Sequence, residues 1–177
     1  MRTVFLDRDG VINEKAETGE YITSCREFRL LPGAAAAIRL LNEAGVRVVA
    51  VTNQRGVARG IMTTEDLEEI HRKMADDLRR QGAHLDAVYY CPHEDGSCDC
   101  RKPAVGLFLQ AQADFPDIIF DEAFVIGDSD RDMEAGRRLG ARLIRIGQTM
   151  ALDEASAPSL FEAVKGYLLA GDLKPAG

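Results

Sequence analysis

Two aspartates lie one residue apart, directly after the first apolar segment of the chain. Thr3–Leu6 is an apolar run that predicts a buried strand, and Asp7, Asp9 and Gly10 follow it. Ligands of open α/β sheets bind beyond the carboxyl ends of the strands, and the glycine permits a sharp turn there. Carboxylates so placed can hold a hard cation, or act as nucleophile and as acid–base group. The alternative is that both aspartates are simply solvated, and the pair alone does not distinguish a functional site from this case.

The segment after the second predicted strand carries groups that suit an oxyanion. Residues 46–51 are mostly β-branched, which is typical of a parallel strand covered on both faces. Hydroxyl, amide and guanidinium groups can all hydrogen-bond phosphate, and arginine does so with a bidentate fork. An ordinary polar loop is the alternative. The candidate residues are Thr52, Asn53, Gln54, Arg55 and Arg59.

Three cysteines and a histidine lie within ten residues after the third predicted strand. They are Cys91, His93, Cys98 and Cys100. Three thiolates and one imidazole form a complete tetrahedral zinc set with no position for water, so a structural Zn²⁺ is favoured over a catalytic one. A loop of free cysteines is the alternative. Arg101 and Lys102 follow directly, so the metal would fix their position.

A further acidic group follows the strand predicted at residues 123–126. Asp128 is the natural additional ligand for a cation at Asp7 and Asp9. Asp132 comes one helical turn later and is placed to orient metal-bound water, whereas Asp130 is expected to be solvated. Capping of the next helix by aspartate is the alternative.

These residues require a scaffold of alternating strands and helices. That order predicts an α/β fold, a three-layer Rossmann-like parallel sheet with helices on both faces. Residues 13–24 are predicted to form a loop over the strand ends, and 171–177 a loose tail. We expect a single domain over residues 1–177. Predicted strands are 3–6, 46–51, 86–90, 123–126 and 142–146, and predicted helices are 34–44, 63–82, 104–115, 133–139 and 159–170.

Composition narrows the classes of partner. The 177 residues are 46% hydrophobic, enough for a core, and the net charge of −7 argues against nucleic acid. No apolar run approaches the ~20 residues of a membrane span. Because the chain is strand-like from residue 3, no secretory leader is expected, and clustered cysteines then suggest metal rather than disulfides. We expect a cytoplasmic monomer without nucleic-acid or membrane partners.

The four strand-end motifs together resemble those of the haloacid dehalogenase phosphatase superfamily. They occur in the family's order, and the zinc loop is similar to that of its branches acting on sugar bisphosphates or on histidinol phosphate. The loop before Tyr21 is longer than in the sugar branch, and Ser129 stands where some members have lysine. The motifs are Asp7-x-Asp9, Thr52, Lys102 and Gly127-Asp128-x3-Asp132.

The resemblance implies a magnesium-dependent phosphatase without a large cap domain. Asp7 would attack phosphorus, and Asp9 would act as acid and base. Thr52 and Lys102 would stabilise the charge of the transferring phosphoryl group. Mg²⁺ would be held by the carboxylates of Asp7 and Asp128 and the backbone carbonyl of Asp9.

The implied substrate is a small phosphorylated sugar in a pocket shaped by short loops. Histidinol phosphate, or another small sugar phosphate, is an alternative substrate. A non-enzymatic zinc-stapled binding module is a third possibility, but such a module has no use for a nucleophile and an acid together. Substrate contacts are assigned to Tyr21, Asn53, Gln54, Arg55, Arg59 and Arg101.

Overall fold

Strands and helices alternate along the chain. The computed structural model describes residues 1–17, 19–148 and 151–169. The strands are β1 (Thr3–Leu6), β2 (Arg47–Asn53), β3 (Ala87–Cys91), β4 (Phe124–Gly127), β5 (Arg142–Ile146) and β6 (Ala155–Ala157). The helices are α1 (Ala34–Glu43), α2 (Thr64–Arg80), α3 (Gly106–Asp114), α4 (Asp130–Leu139) and α5 (Leu160–Ala163), which continues as a π-helix over Val164–Leu169.

All six strands are parallel and form one sheet in the order β3-β2-β1-β4-β5-β6. The chain runs outward from β1 to β3 and then crosses back to β4 on the other side of β1. Leu6 at the end of β1 therefore pairs with Ala50 of β2 and with Ile126 of β4. Such a change of direction opens a crevice beyond the carboxyl ends of the central strands, where ligands of open α/β sheets bind.

Helices cover both faces of the sheet. Successive side chains of a strand point to opposite faces, so Val4 and Leu6 belong to one buried cluster and Phe5 to the other. Helices α1, α2 and α5 pack on the first face, and α3 and α4 on the second. The rings of Phe5 and Phe108 on α3 meet edge to face with centroids 5.0 Å apart. The predicted three-layer α/β fold is therefore confirmed.

The element boundaries differ from the predicted ones in several places. Strand β6 is absent from the prediction because Ala155–Ala157 is short and has no β-branched residue. Helix α4 begins at Asp130, since the acidic residues that read as a loop sit favourably in a first helical turn. Helix α3 begins at Gly106, two residues late. Residue 170 and the tail predicted for 171–177 lie outside the described residues.

No large cap domain interrupts the described strands and helices. The described residues between β1 and α1 form turns, bends and isolated bridges, with Asn13 pairing to Asp9 and Leu30. The predicted loop over residues 13–24 thus lies beside the carboxyl ends of the strands. Within the described ranges, no helix has both the length and the apolar character that crossing a bilayer requires.

Candidate active site

A cavity of about 450 Å³ lies beyond the carboxyl ends of β1, β2 and β4. It collects residues that are far apart in the sequence, because the strands that carry or precede them end at the same edge of the sheet. Nearly all the residues predicted from the sequence for catalysis, substrate contact and magnesium line it; Arg55 and Arg59 do not. The lining includes Asp7, Asp9, Tyr21, Thr52, Asn53, Gln54, Arg101, Lys102, Asp128 and Asp132.

Lys102 lies between the partly buried carboxylate of Asp7 and the buried carboxylate of Asp132. Its Nζ is 2.9 Å from Asp7 Oδ1 and 2.6 Å from Asp132 Oδ1, and it donates to the Val51 carbonyl at 2.6 Å. Burial opposes the charge of Lys102, but Asp132 and Asp7 outweigh it and raise its pKa. The lysine is therefore a fixed cation beside Asp7.

Asp132 makes contacts that the sequence did not predict. Its Oδ2 accepts hydrogen bonds from the Ser129 backbone N–H at 3.1 Å and from the Ser129 hydroxyl at 2.6 Å, while Oδ1 contacts Lys102. Both oxygens thus have protein partners. Burial disfavours its charge, yet Lys102 lowers its pKa. Asp132 holds Lys102 in place and adds negative charge near Asp7.

Asp7 and Asp128 offer oxygen atoms that suit a divalent cation. Oxygens of Asp7, Asp128 and Asp132 lie within 4.8 Å of one another. In the described part of the chain, Asp128 Oδ1 is buried without a hydrogen-bond partner. Burial, followed by Asp132, raises the pKa of Asp7 to about 7. A hard cation that takes oxygen ligands, such as Mg²⁺, would satisfy the orphaned oxygen and favour the ionised form of Asp7.

The turn after β1 brings Asp7 and Asp128 together. Gly10 has a φ of +87°, and a side chain there would overlap the Asp128 carboxylate. Glycine is required here for two reasons. Other residues rarely adopt this φ, and any side chain would meet the Asp128 carboxylate. The turn therefore depends on the glycine singled out in the sequence.

The Asp9 carboxylate is directed away from this cation site into a hydrogen-bonded network. Fully buried Arg8 donates to it through Nε and Nη2, at 3.3 Å and 2.9 Å, and Asn13 and Gln54 donate at 2.9 Å and 2.8 Å. Burial raises the pKa of Asp9, but these donors outweigh burial and lower it. Both carboxylate oxygens of Asp9 thus have protein donors, and the role of its backbone carbonyl as a magnesium ligand stays a prediction.

The polar residues at the end of β2 hold other parts of the site. Gln54 Nε2 donates to Thr52 Oγ1 at 2.9 Å, which leaves the Thr52 hydroxyl hydrogen free to donate elsewhere. The Asn53 side chain accepts from the backbone N–H of Lys102 and donates to its carbonyl, each at 3.0 Å. Asn53 thus fixes the backbone of Lys102 from the neighbouring strand.

The four predicted zinc ligands converge at the end of β3. The Cys100 sulfur is 3.1 Å from that of Cys91 and 3.3 Å from that of Cys98, and His93 Nδ1 lies 3.2 Å from Cys100. Burial and the neighbouring thiols raise the pKa of Cys100, because thiolates so close repel one another. A zinc ion with Zn–S bonds of about 2.3 Å would hold the sulfurs slightly further apart and cancel this repulsion.

The predicted substrate arginines lie at the rim and are paired with acids of the cysteine loop. Arg59 Nε donates to Glu94 at 2.9 Å, and Arg55 Nη1 is 3.3 Å from both Glu94 and Asp95. Arg101 contacts Asp95 as well. Arg55 Nε also donates to the hydroxyl of Tyr21 at 3.2 Å, which joins loop 13–24 to this rim.

Three basic residues near the site were missed by sequence reasoning. Lys15 Nζ lies 2.6 Å from Asp128 Oδ2, and Arg131 Nη2 lies 3.2 Å from Asp95. Arg8 is buried between the two motif aspartates. Lys15 could have been found as the only basic residue in loop 13–24. Nothing in the sequence signals the contacts of Arg131, which depend on how α4 faces the cysteine loop.

The strand order changes direction at β1, and a carboxylate, a fixed lysine and an acidic site suited to a cation lie beyond that point. Such a site on a parallel α/β sheet is typical of a class of phosphate-processing hydrolases. The family model described as HAD-hydrolase-like matches residues 99–168. D-glycero-beta-D-manno-heptose-1,7-bisphosphate 7-phosphatase of Rhodopseudomonas palustris is 44% identical over 144 residues, 77% of this chain and 78% of that protein. The D-glycero-alpha-D-manno-heptose-1,7-bisphosphate 7-phosphatase of Mycobacterium tuberculosis is 38% identical, over 90% and 87% of the two chains.

A solved structure agrees with these relatives. The D,D-heptose 1,7-bisphosphate phosphatase of Bordetella bronchiseptica, crystallised with magnesium and phosphate, superposes with a TM-score of 0.88 at 31% identity, covering 96% of this chain and 99% of that one. The chain belongs to the heptose-1,7-bisphosphate 7-phosphatase family of haloacid dehalogenase-like hydrolases.

Proposed function

We propose that this chain is a single-domain, Mg²⁺-dependent phosphatase that removes the 7-phosphate of D-glycero-D-manno-heptose 1,7-bisphosphate. The observation that carries the proposal is the position of Asp7, which lies 2.9 Å from the buried Lys102 and close to the orphaned oxygen of Asp128. A carboxylate with a fixed cation on one side and a cation site beside it suits attack on phosphorus. The names of its relatives support the substrate.

In the first chemical step, Asp7 attacks the 7-phosphate and forms an aspartyl-phosphate. An oxygen of Asp7 bonds to phosphorus, the bond between phosphorus and O7 breaks, and the sugar leaves as an alcohol after taking a proton from Asp9. Lys102 and the Thr52 hydroxyl stabilise the negative charge of the phosphoryl group as it transfers. Mg²⁺ held by Asp7, Asp128 and the Asp9 carbonyl would reduce the repulsion between nucleophile and phosphate.

In the second step, Asp9 removes a proton from a water molecule that attacks the aspartyl-phosphate. Phosphate is released and Asp7 is restored. The lowered pKa of Asp9 favours the carboxylate form, which this step needs. The first step needs the protonated form, and a phosphate dianion bound beside Asp9 raises its pKa by like-charge repulsion. One residue therefore serves both steps through the changing charge of its neighbour.

The remaining predicted groups form the substrate pocket and a stabilising metal site. A structural Zn²⁺ at Cys91, His93, Cys98 and Cys100 orders the loop that leads into Arg101. The enzyme works as a cytoplasmic monomer in the biosynthesis of nucleotide-activated heptose. Its partner is a small phosphorylated sugar, bound by Tyr21, Asn53, Gln54, Arg55, Arg59 and Arg101.

Phosphate release from a defined set of substrates tests this function. The set contains both anomers of the heptose bisphosphate, histidinol phosphate and p-nitrophenyl phosphate, with Asp7→Asn as the inactive control. We expect kcat/KM for one heptose anomer to exceed that for histidinol phosphate by at least about a hundredfold, equivalent to about 2.7 kcal/mol. A preference for histidinol phosphate would contradict the proposed substrate, and an active Asp7→Asn protein would contradict the covalent mechanism.

A further inference from the structure

One carboxylate of the cysteine loop pairs with three arginines from three separate segments. Asp95 Oδ2 lies 3.3 Å from Arg55, which follows β2, and 3.2 Å from Arg131 on α4. Asp95 Oδ1 contacts Arg101, which precedes α3. Three guanidinium groups around a single carboxylate leave an excess of positive charge. An arrangement of this kind accepts an anion of higher charge than one carboxylate.

Two of the three arginines have partners other than Asp95. The Arg101 side chain is only 8% exposed and also lies 3.5 Å from the His93 carbonyl, while the Asp95 side chain is 45% exposed. Arg55 has further partners in Tyr21 and Glu94. Exposed ion pairs contribute little to stability, so the contacts of Asp95 are weak enough to exchange. Arg101 and Arg55 therefore each keep a partner when the acid leaves.

The arginine cluster opens onto the cavity that contains Asp7. Arg101 and Arg131 both line this cavity, as do Asp7, Thr52 and Lys102. A ligand that places one phosphate at Asp7 therefore occupies a cavity whose wall includes two of these arginines. Arg131 stands in the first turn of α4, where the helix dipole disfavours a cation and favours an anion beside it.

We propose that Asp95 is an internal anion that occupies this cluster, and that the second, non-reacting phosphate of a sugar bisphosphate displaces it. The inference rests on the proposed function, because it concerns how the same site selects its substrate. A phosphate dianion offers more charge and three oxygens to the arginine forks, so it replaces the carboxylate. A neutral or singly charged group does not replace the carboxylate of Asp95. Asp95 and Arg131 thus become specificity-determining residues.

Binding of a matched pair of ligands tests the inference without turnover. The ligands are D-glycero-D-manno-heptose 1,7-bisphosphate and D-glycero-D-manno-heptose 7-phosphate, titrated calorimetrically into Mg²⁺-loaded protein carrying Asp7→Asn. The two ligands differ only in the phosphate assigned to the arginines. Adding Asp95→Asn removes the competing charge, so the bisphosphate should bind roughly three- to tenfold tighter, while the 7-phosphate changes by less than about twofold.

A matched control separates this effect from a general change in charge. Asp99→Asn removes an equal charge from the same loop, and no contact between the Asp99 side chain and an arginine occurs within the described residues. It should leave both affinities unchanged. The inference is overturned if Asp95→Asn weakens bisphosphate binding, leaves it unchanged, or tightens both ligands equally. Weakening would mean that Asp95 orients the arginines.

A second variant tests the cluster from its opposite side. Arg131→Gln changes a half-exposed side chain on the surface of α4, so folding should survive. It should weaken bisphosphate binding several-fold and spare the 7-phosphate. Equal affinity of this variant and its parent for the bisphosphate would also overturn the inference. Failure of the unmodified enzyme to release phosphate from the bisphosphate contradicts the proposed function instead, since these titrations do not depend on turnover.

Discussion

At the scale of single residues, the two motif aspartates have opposite environments. Asp7 lies among carboxylates and its pKa is raised to about 7, whereas Asp9 accepts hydrogen bonds from Arg8, Asn13 and Gln54 and its pKa is lowered. Pairs of acids with diverging pKa values are typical of sites where two carboxyl groups have different tasks. Burial and then Asp132 raise the pKa of Asp7, whereas hydrogen bonds from Arg8, Asn13 and Gln54 outweigh burial at Asp9.

Replacing Asp9 by Asn should affect poor leaving groups more than good ones. The amide keeps the shape but can neither protonate a sugar oxygen nor activate water. We expect loss of sugar phosphate turnover by about 10²–10⁴-fold, the usual contribution of acid–base catalysis. A pre-steady-state burst of p-nitrophenolate should remain, because that leaving group needs little protonation. Equal losses of the first step on both substrates would count against Asp9 as the acid.

A partly buried histidine should make the stability of the fold depend on pH. His71 on α2 packs against Tyr90, and its Nε2 accepts from Arg8 Nη1 at 3.3 Å, since arginine can only donate. Burial, followed by Arg8, lowers its pKa from 6.5 to about 3. Between these pH values the unfolded chain binds a proton that the folded chain does not. The stabilisation is therefore complete above pH 6.5 and is lost as the pH falls.

His71→Gln keeps an acceptor for Arg8 but cannot titrate. From pH 7.5 to pH 5, the parent should lose about 2 kcal/mol more of its unfolding free energy than this variant. Urea denaturation at the two pH values measures the difference. His84→Gln, which replaces an exposed histidine, serves as the control. Identical pH dependence of parent and His71→Gln proteins would show that His71 is not responsible.

At the scale of elements, the cysteine loop and the end of β2 divide the task of positioning cations. The Asn53 side chain makes two hydrogen bonds to the backbone of Lys102, so the lysine is anchored to the sheet. Arg101 has no such anchor and depends on Asp95 and the His93 carbonyl, both within the loop. The predicted zinc site should therefore matter more for Arg101 than for Lys102.

Cys98→Ser should separate these two contributions. We expect loss of bound zinc, about one ion per chain in the parent, and a lower Tm because a closed metal site supplies folding energy. KM for the bisphosphate should rise several-fold as Arg101 loses its place, and kcat should fall less. Elemental analysis, thermal unfolding and steady-state kinetics measure the three effects. Normal kinetics after complete zinc loss would disprove the link between the loop and the substrate.

The sequence predicted the strand-end motifs better than their contacts. Asp7, Thr52 and Asp128 could be placed because each comes at the end of an apolar run, and parallel strands bring their ends to one edge. Lys102 follows the cysteine loop and could be placed from the resemblance of its motif. The pairing of Asp132 with Lys102, and of Asp95 with three arginines, could not be predicted. Such contacts depend on side-chain directions across elements distant in sequence. Strand β6 was missed because its three small residues have no period to detect.

At the scale of the whole molecule, negative charge accumulates at the edge of the sheet where a phosphorylated substrate would add further negative charge. Asp7, Asp9, Asp128 and Asp132 stand at one edge of a protein whose net charge is −7. Lys15, Arg8 and Lys102 balance them only in part. A divalent cation is therefore needed before a bisphosphate can approach Asp7 at little electrostatic cost.

Removing divalent cations should abolish turnover reversibly. EDTA treatment should reduce phosphate release to background, and Mg²⁺ should restore it. Under mild conditions the predicted zinc should remain, because three thiolates hold it in a closed site. Phosphate release and elemental analysis of the same samples distinguish the two metals. Full activity in buffer freed of Mg²⁺ would contradict the proposed mechanism.

The position of β1 between β2 and β4 has a consequence for how the chain acquires activity as it folds. The backbone N–H of Asp7 donates to the Ile126 carbonyl at 3.0 Å, so its place is fixed by a strand far along the chain. Contacts between distant segments form slowly, because the intervening chain must first be ordered. A chain emerging from the ribosome can pair β1 with β2, and β2 with β3, early, yet it stays without a working nucleophile until β4 docks. During refolding, recovery of turnover should therefore coincide with the last step of sheet assembly.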